Sequence, residues 1–279
     1  MDSGSLKKAI RAMLSWLNLD IYRLDSAKAV SLSRSGLDGL LLQARAMGFT
    51  PTTVVDVGAA YGSFARQCFS VFPKARFLLL EPLVEYQPLL NTLIDAMPSA
   101  QCIMAAASAH QGEVVFNVHP DLVGSSLFRE VEKDTCVNGV ARTVQAITID
   151  SLVKETGATG PFLLKVDVQG AELDVLRGAE RMLADTEYIL LEVSLFNFFQ
   201  DGPDFHDVVM YMKNRGFVAN DISGLQYRPL DNALSQVDIA FVKERGLFRQ
   251  RHFYATPEQR EAQDRRIRTH MEELFARTR

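Results

Sequence analysis

Leu163-Leu164-Lys165-Val166-Asp167-Val168-Gln169-Gly170-Ala171-Glu172 is the stretch whose reading decides the fold. Its apolar start reads as a buried strand that ends at Asp167, turns over Gly170 and enters a helix carrying Glu172 in its first turn. Two carboxylates, the amide of Gln169 and the ammonium of Lys165 therefore meet at one strand-to-helix junction. Ligands of open α/β sheets bind beyond the carboxyl ends of the strands, so chemistry is expected here. Lys165 alternates to the same face as Asp167, and pairing would lower the basicity of that carboxylate.

Outward from this junction, strand-like runs at 53–57, 76–81, 102–106, 161–168, 188–193, 217–221 and 237–243 alternate with helix-like runs at 63–72, 86–97, 171–183 and 205–215. The strands are apolar on both faces, as in a parallel sheet covered by helices, which predicts an α/β sandwich. Between 106 and 161 the pattern changes. Runs at 112–118 and 142–149 predict an inserted hairpin, whose loop carries Ser125 and Ser126. An insertion on the ligand side builds a substrate wall or merely decorates an edge, and the sequence leaves both open.

The run Val54-Val55-Asp56-Val57-Gly58-Ala59-Ala60-Tyr61-Gly62 is a second strand, acid and small-residue turn opening a helix. Gly58, Ala59, Tyr61 and Gly62 let a ligand approach the backbone, while the Gly-x-Gly-x-x-Gly signature of a pyrophosphate site is absent. The next strand ends in Glu81 before Pro82, where an acid accepts hydrogen bonds from ribose hydroxyls. Acids at both turns suit a cationic nucleoside without phosphate. S-adenosylmethionine fits, with Asp56 toward its methionine end, Glu81 on its ribose, and Pro82 and Ala106 alongside.

An alcohol is a poor nucleophile until its proton begins to leave, so a general base is expected near the donor methyl. Asp167 and Glu192, at the ends of neighbouring strands, are the candidates, with Lys165 as partner; Ser125, Ser126, Gln169 and Glu172 are placed toward the acceptor. Glu172 also suits its helix dipole, which weakens a functional reading. A divalent cation held by these carboxylates is the alternative, although no tight acidic or histidine motif is present. His119 and His206 are outside candidates for the base.

With 47% apolar and 23% charged residues, the chain of 279 residues is expected to fold as a globular protein. A net charge of −4 gives no reason to expect nucleic acid as a partner. Three widely spaced cysteines suggest neither disulfides nor zinc and fit a reducing cytoplasm. No apolar run reaches membrane-span length. The N-terminal run 6–17 has the spacing of an amphipathic helix rather than of a signal peptide, since Arg11 interrupts it. Thr256-Pro257-Glu258-Gln259 starts a further helix to about 276. The expected organisation is an N-terminal extension (1–36), a core (37–243) and a C-terminal extension (244–279), whose terminal helices can serve homo-oligomerisation.

The blocks Val55–Gly62, Glu81-Pro82, Ser125-Ser126-Leu127, Thr148-Ile149-Asp150 and 164–179 together resemble the FkbM-type methyltransferases over about 37–243. One departure is Ala60, where many relatives carry Asn. The resemblance implies a Rossmann-like three-layer sandwich of the class I methyltransferase fold, with a seven-stranded, mostly parallel sheet whose last strand is antiparallel. It also implies methyl transfer from S-adenosylmethionine to a hydroxyl of a sugar, polyketide or related small molecule or glycan. Three rivals remain: an amine acceptor in the same fold, a nucleotide-binding dehydrogenase, and a catalytically silent scaffold. Nicotinamide-dependent redox signals would favour the second, and cofactor binding without turnover the third.

Overall fold

Every residue of β1 (Thr53–Val57) and of β7 (Phe162–Val166) is buried. Burial on both faces requires helices above and below the sheet. The computed structural model, which describes residues 36–132 and 135–277, has that arrangement. These two strands lie side by side and parallel at the middle of a seven-stranded sheet. To one side lie β2 (Arg76–Leu80) and β3 (Ala100–Ile103); to the other lie β8 (Thr186–Ser194), β10 (Leu234–Lys243) and β9 (Phe217–Tyr227). Only β10 runs antiparallel to its neighbours in this sheet.

Alternate side chains enter separate cores. Val54, Phe77, Leu79, Leu163 and Tyr188 pack with Leu40, Phe64 and Leu90 of the helices Leu37–Ala46, Ser63–Val71 and Gln87–Ala96. Val55, Leu78, Leu164, Ile189 and Phe241 pack with Leu152, Val175 and Met212 on the opposite face. This is the α/β sandwich that the apolar runs predicted.

The insertion forms a three-stranded sheet of β4 (Ala106–Ala107), β6 (Val140–Ile147) and β5 (Gly112–Val118). β5 and β6 pair antiparallel from Gly112↔Ala146 to Val118↔Val140, as a hairpin should. The expected strand at 102–106 is corrected: the chain leaves the main sheet after Ile103, and Ala106 pairs with Ala146 instead.

The single helix expected over 171–183 is also two, Glu172–Arg177 and Glu180–Leu183. A Cβ on Gly178 would stand 2.2 Å from the Ser108 carbonyl oxygen, so the chain must thread a tight gap there. Asp150 then accepts hydrogen bonds from the Arg181 and Met182 amides and restarts the helix. The C-terminal helix runs Pro257–Arg277, with Thr256 and Gln259 forming reciprocal capping bonds. The helix expected at 6–17 lies outside the described residues. No helix among the described residues is long and apolar enough to cross a membrane.

Connections leave β1 and β7 in opposite directions along the sheet, so a crevice opens beyond their carboxyl ends. There the Asp167 amide donates to the Val57 carbonyl at 3.1 Å. Gly58 has φ +76°, and a Cβ on it would lie 1.9 Å from the Asp167 carbonyl oxygen. We expect Gly58→Ala to cost about 2–4 kcal/mol by combining left-handed strain with overpacking, read by chemical denaturation. Unchanged stability would mean that the two turns are not held at this spacing.

Candidate active site

A cavity of about 230 Å³ occupies this crevice. Gly58, Ala60, Glu81 and Pro82 line one side, Asp167, Gln169 and Glu192 another, and Ala106 lies beside them. Phe116, Leu122, Val123, Ser125 and Leu127 complete it from the insertion, which is therefore a wall of the cavity.

The first turn presents backbone. Ala60 has φ +47°, a left-handed conformation that Asn tolerates better than Ala. Its amide donates to Glu81 Oε2 at 2.8 Å, while the Leu83 amide donates to Oε1 at 2.9 Å. Burial pushes the Glu81 carboxyl up to about 7 against the effect of those two amides. Ala59, Tyr61 and Gly62 stand outside the cavity lining. Ala59 is buried and Tyr61 is exposed, while a Cβ on Gly62 would meet the Leu93 side chain at 2.4 Å.

The second turn is strained and braced. Gln169 has φ +54° and Gly170 φ +94°. Glu172 Oε1 accepts from the Gly170 amide at 3.1 Å and the Val168 amide at 3.4 Å. Ser126 Oγ donates to the Gln169 carbonyl at 2.6 Å and ties the insertion loop to the same turn. Glu172 and Ser126, placed toward the acceptor by sequence, are thus buried beneath the turn and do not line the cavity. Burial raises Glu172 to about 7. Ser125 does line the cavity, its hydroxyl oxygen accepting from the His119 amide at 2.9 Å. His119 itself pairs with Asp121 at 2.6 Å, and neither it nor His206 is in the lining.

Lys165 is buried behind the cavity, and its Nζ donates to Asp167 Oδ2 at 2.8 Å. Burial disfavours the ammonium, but Asp167 and Asp56 more than compensate and hold Lys165 above its ordinary range. Burial would likewise raise Asp167, yet Lys165 outweighs it and keeps that carboxylate ionised. Gln169 Nε2 bridges Asp167 Oδ1 at 3.0 Å and Glu192 Oε2 at 2.9 Å. Glu192 behaves oppositely: burial first, then the charges of Asp167 and Asp238, lift it to about 8. Lys165 draws both carboxylates down but is hydrogen-bonded only to Asp167, while burial dominates at Glu192, a division suited to separate roles.

Asp56 lies beside Lys165 in the β1–β7 register. It is fully buried, lies outside the lining, and neither carboxylate oxygen has a hydrogen-bond partner among the described residues. Burial lifts it to about 6, helped by Asp167 and opposed by Lys165. Among the described residues no three His, Cys, Asp or Glu are grouped to hold a metal ion.

Sequence reasoning missed Gln226 and Gln236. Both line the cavity from β9 and β10. The signal was the alternation of Gln236 and Asp238 in an otherwise apolar last strand, a period-2 polar face. β9 was expected to stop at 221; its pairing with β10 continues through register shifts to Tyr227 and carries Gln226 to the cavity.

Sheet order, switch point and acidic turns together define a Rossmann-like architecture of the class I methyltransferase kind. The model of the methyltransferase FkbM domain matches residues 56–219, and the chain belongs to that family. It is 28% identical over 155 residues to methyltransferase sdnD of Sordaria araneosa, covering 46% of this chain and 60% of that one. It is 27% identical over 159 residues to the 2-O-methyltransferase NoeI of Sinorhizobium fredii, covering 50% and 63%. Against the hexuronic acid methyltransferase AglP of Haloferax volcanii it is 26% identical over 139 residues, covering 50% and 54%. The chain thus spans between about half and two thirds of the length of these relatives.

Asp56 offers a test of the buried charge. A carboxyl raised from 3.8 to about 6 on folding contributes stability that is complete below the unfolded value and lost as pH rises through the folded one. Relative to Asp56→Asn, wild type should therefore lose up to about 3 kcal/mol between pH 4 and 7, read by denaturant titration at each pH. A constant difference across that window would show that Asp56 does not titrate in the fold.

Proposed function

We propose that the chain is an S-adenosylmethionine-dependent O-methyltransferase acting on a hydroxyl of a sugar, polyketide or related small molecule. One observation carries this reading. Among the described residues, the charged side chains lining the cavity are all acidic, Glu81, Asp167 and Glu192, with no Lys, Arg or His beside them. Such a lining suits a cationic nucleoside and disfavours a polyphosphate cofactor, for which backbone and basic donors would be needed. The name of one relative, a 2-O-methyltransferase, supports an oxygen acceptor, and that of another, a hexuronic acid methyltransferase, supports a sugar-like substrate. Cys68 and Cys102 are free thiols, in keeping with a reducing cytoplasm.

S-adenosylmethionine, when bound, supplies a methyl group already activated by a sulfonium. Glu81, held by the Ala60 and Leu83 amides, accepts the ribose hydroxyls with its remaining lone pairs. Asp167 remains ionised against Lys165 and orients the reactants through charge and hydrogen bonding. Glu192, with the higher proton affinity, would take the acceptor's proton during methyl transfer. The insertion's Phe116, Leu122 and Leu127 exclude water from one side.

Two measurements test the reading. Titration with S-adenosylhomocysteine should give binding that Glu81→Ala weakens at least about tenfold, as expected for losing hydrogen bonds to a charged group. No binding by folded wild type would sink the assignment. In methyl-transfer assays the rate should rise with pH through about 8 as Glu192 loses its proton. Glu192→Gln should remove that limb and lower kcat by about 10²–10⁴. An unchanged profile in the variant would assign the base elsewhere.

A further inference from the structure

The β9 and β10 side of the cavity specifies what kind of acceptor can enter, and this deduction rests on the methyltransferase reading above. Three glutamines converge on one carboxylate. Gln226 Nε2 donates to Glu192 Oε1 at 2.9 Å, and Gln169 and Gln236 donate to Oε2 at 2.9 and 3.0 Å. A carboxylate in its base form only accepts hydrogen bonds, so each amide must turn its nitrogen toward Glu192. Gln226 and Gln236 each spend one of their two N–H donors in this way. Gln226 and Gln236 line the cavity with their side-chain carbonyl oxygens left over, and neither oxygen receives a hydrogen bond from the described residues.

Among the described residues, no cation lines the cavity to balance these acceptors. Lys165 is buried behind Asp167 and bonded to it. Arg228, two residues beyond Gln226, is committed to Asp231 at 2.8 and 2.6 Å and stacks on Phe196 at 3.9 Å. Arg142 is held by both oxygens of Glu85. Asp238, directly opposite Glu192 in the strand register, adds another acid beneath the cavity floor. Its carboxylate occupies space that a Cβ on Gly224 would fill, 2.0 Å from Oδ2.

We propose that Gln226 and Gln236 form an acceptor subsite for an uncharged polyhydroxyl compound, whose hydroxyls donate to the two amide oxygens while a neighbouring hydroxyl faces Glu192. A carboxylate-bearing acceptor meets the like charge of Asp167 and Glu192 with no lining cation among the described residues to offset it, so it is disfavoured. This chain then differs in acceptor charge from the hexuronic acid methyltransferase it resembles.

The test uses matched pairs of methyl hexosides and the corresponding methyl hexuronides, with transfer of a labelled methyl group from S-adenosylmethionine as readout. The neutral member of a pair should exceed the acidic one in kcat/KM by at least about tenfold. Gln226→Leu and Gln236→Leu should each raise KM for the neutral hexoside severalfold and leave the affinity for S-adenosylhomocysteine unchanged. Equal or better use of the uronides overturns the subsite, as does failure to methylate any neutral hexoside. Titration of the same preparation with S-adenosylhomocysteine separates the failures. Retained binding confines the error to the acceptor, whereas lost binding overturns the methyltransferase reading and the subsite together.

Discussion

The rest of the site depends on how closely the backbone of Gly58 approaches the carbonyl of Asp167. Two parallel strands end beside each other there, and a single methyl group on Gly58 would fill the space between them. Because the connections diverge from this point, the crevice has two chemically different banks. One offers the Ala60 amide and Glu81; the other offers Asp167, Gln169 and Glu192. Cofactor and acceptor can meet only if those banks hold their spacing, since alignment of the reacting atoms accounts for much of such catalysis.

Charge is distributed around a single buried lysine. Asp167, bonded to Lys165, loses its proton readily; Asp56, beside the same lysine but without a hydrogen bond, is pushed the other way by burial. Glu192 is raised by burial first and then by the charges of Asp167 and Asp238, against the pull of Lys165. Three carboxyls in one region thus have different protonation behaviour, set by their neighbours rather than by residue type. The apolar wall from the insertion lowers the local dielectric and strengthens each of these effects.

Much of the fold was legible because fully buried strands leave unbroken apolar runs, as at 53–57 and 162–166. The boundaries that failed did so for tertiary reasons. The helix break at Gly178 comes from Ser108 pressing on it, a neighbour distant in sequence. The extension of β9 to Tyr227 depends on pairing with β10, whose register shifts no local pattern reveals. Of the candidate site, Glu81, Asp167 and Gln169 stood out since each ends or follows an apolar run. Glu172 was placed by the same strand-to-helix junction and Ser126 by the insertion loop, but their polar atoms turn inward to brace a strained turn.

The sequence by itself determined the layered α/β architecture, the two acidic turns and the absence of a pyrophosphate loop. Each is written in local spacing: apolar periodicity, a carboxylate at a strand end, glycines at turns. Tertiary structure alone decided which carboxylate keeps its proton and which polar residues reach the cavity. Those outcomes depend on distances between β7, β8, β9 and β10, strands separated along the chain and brought together only by the sheet. Electrostatic and hydrogen-bond energies vary with such distances, so the glutamines of β9 and β10 could reach Glu192 only after the strands had paired.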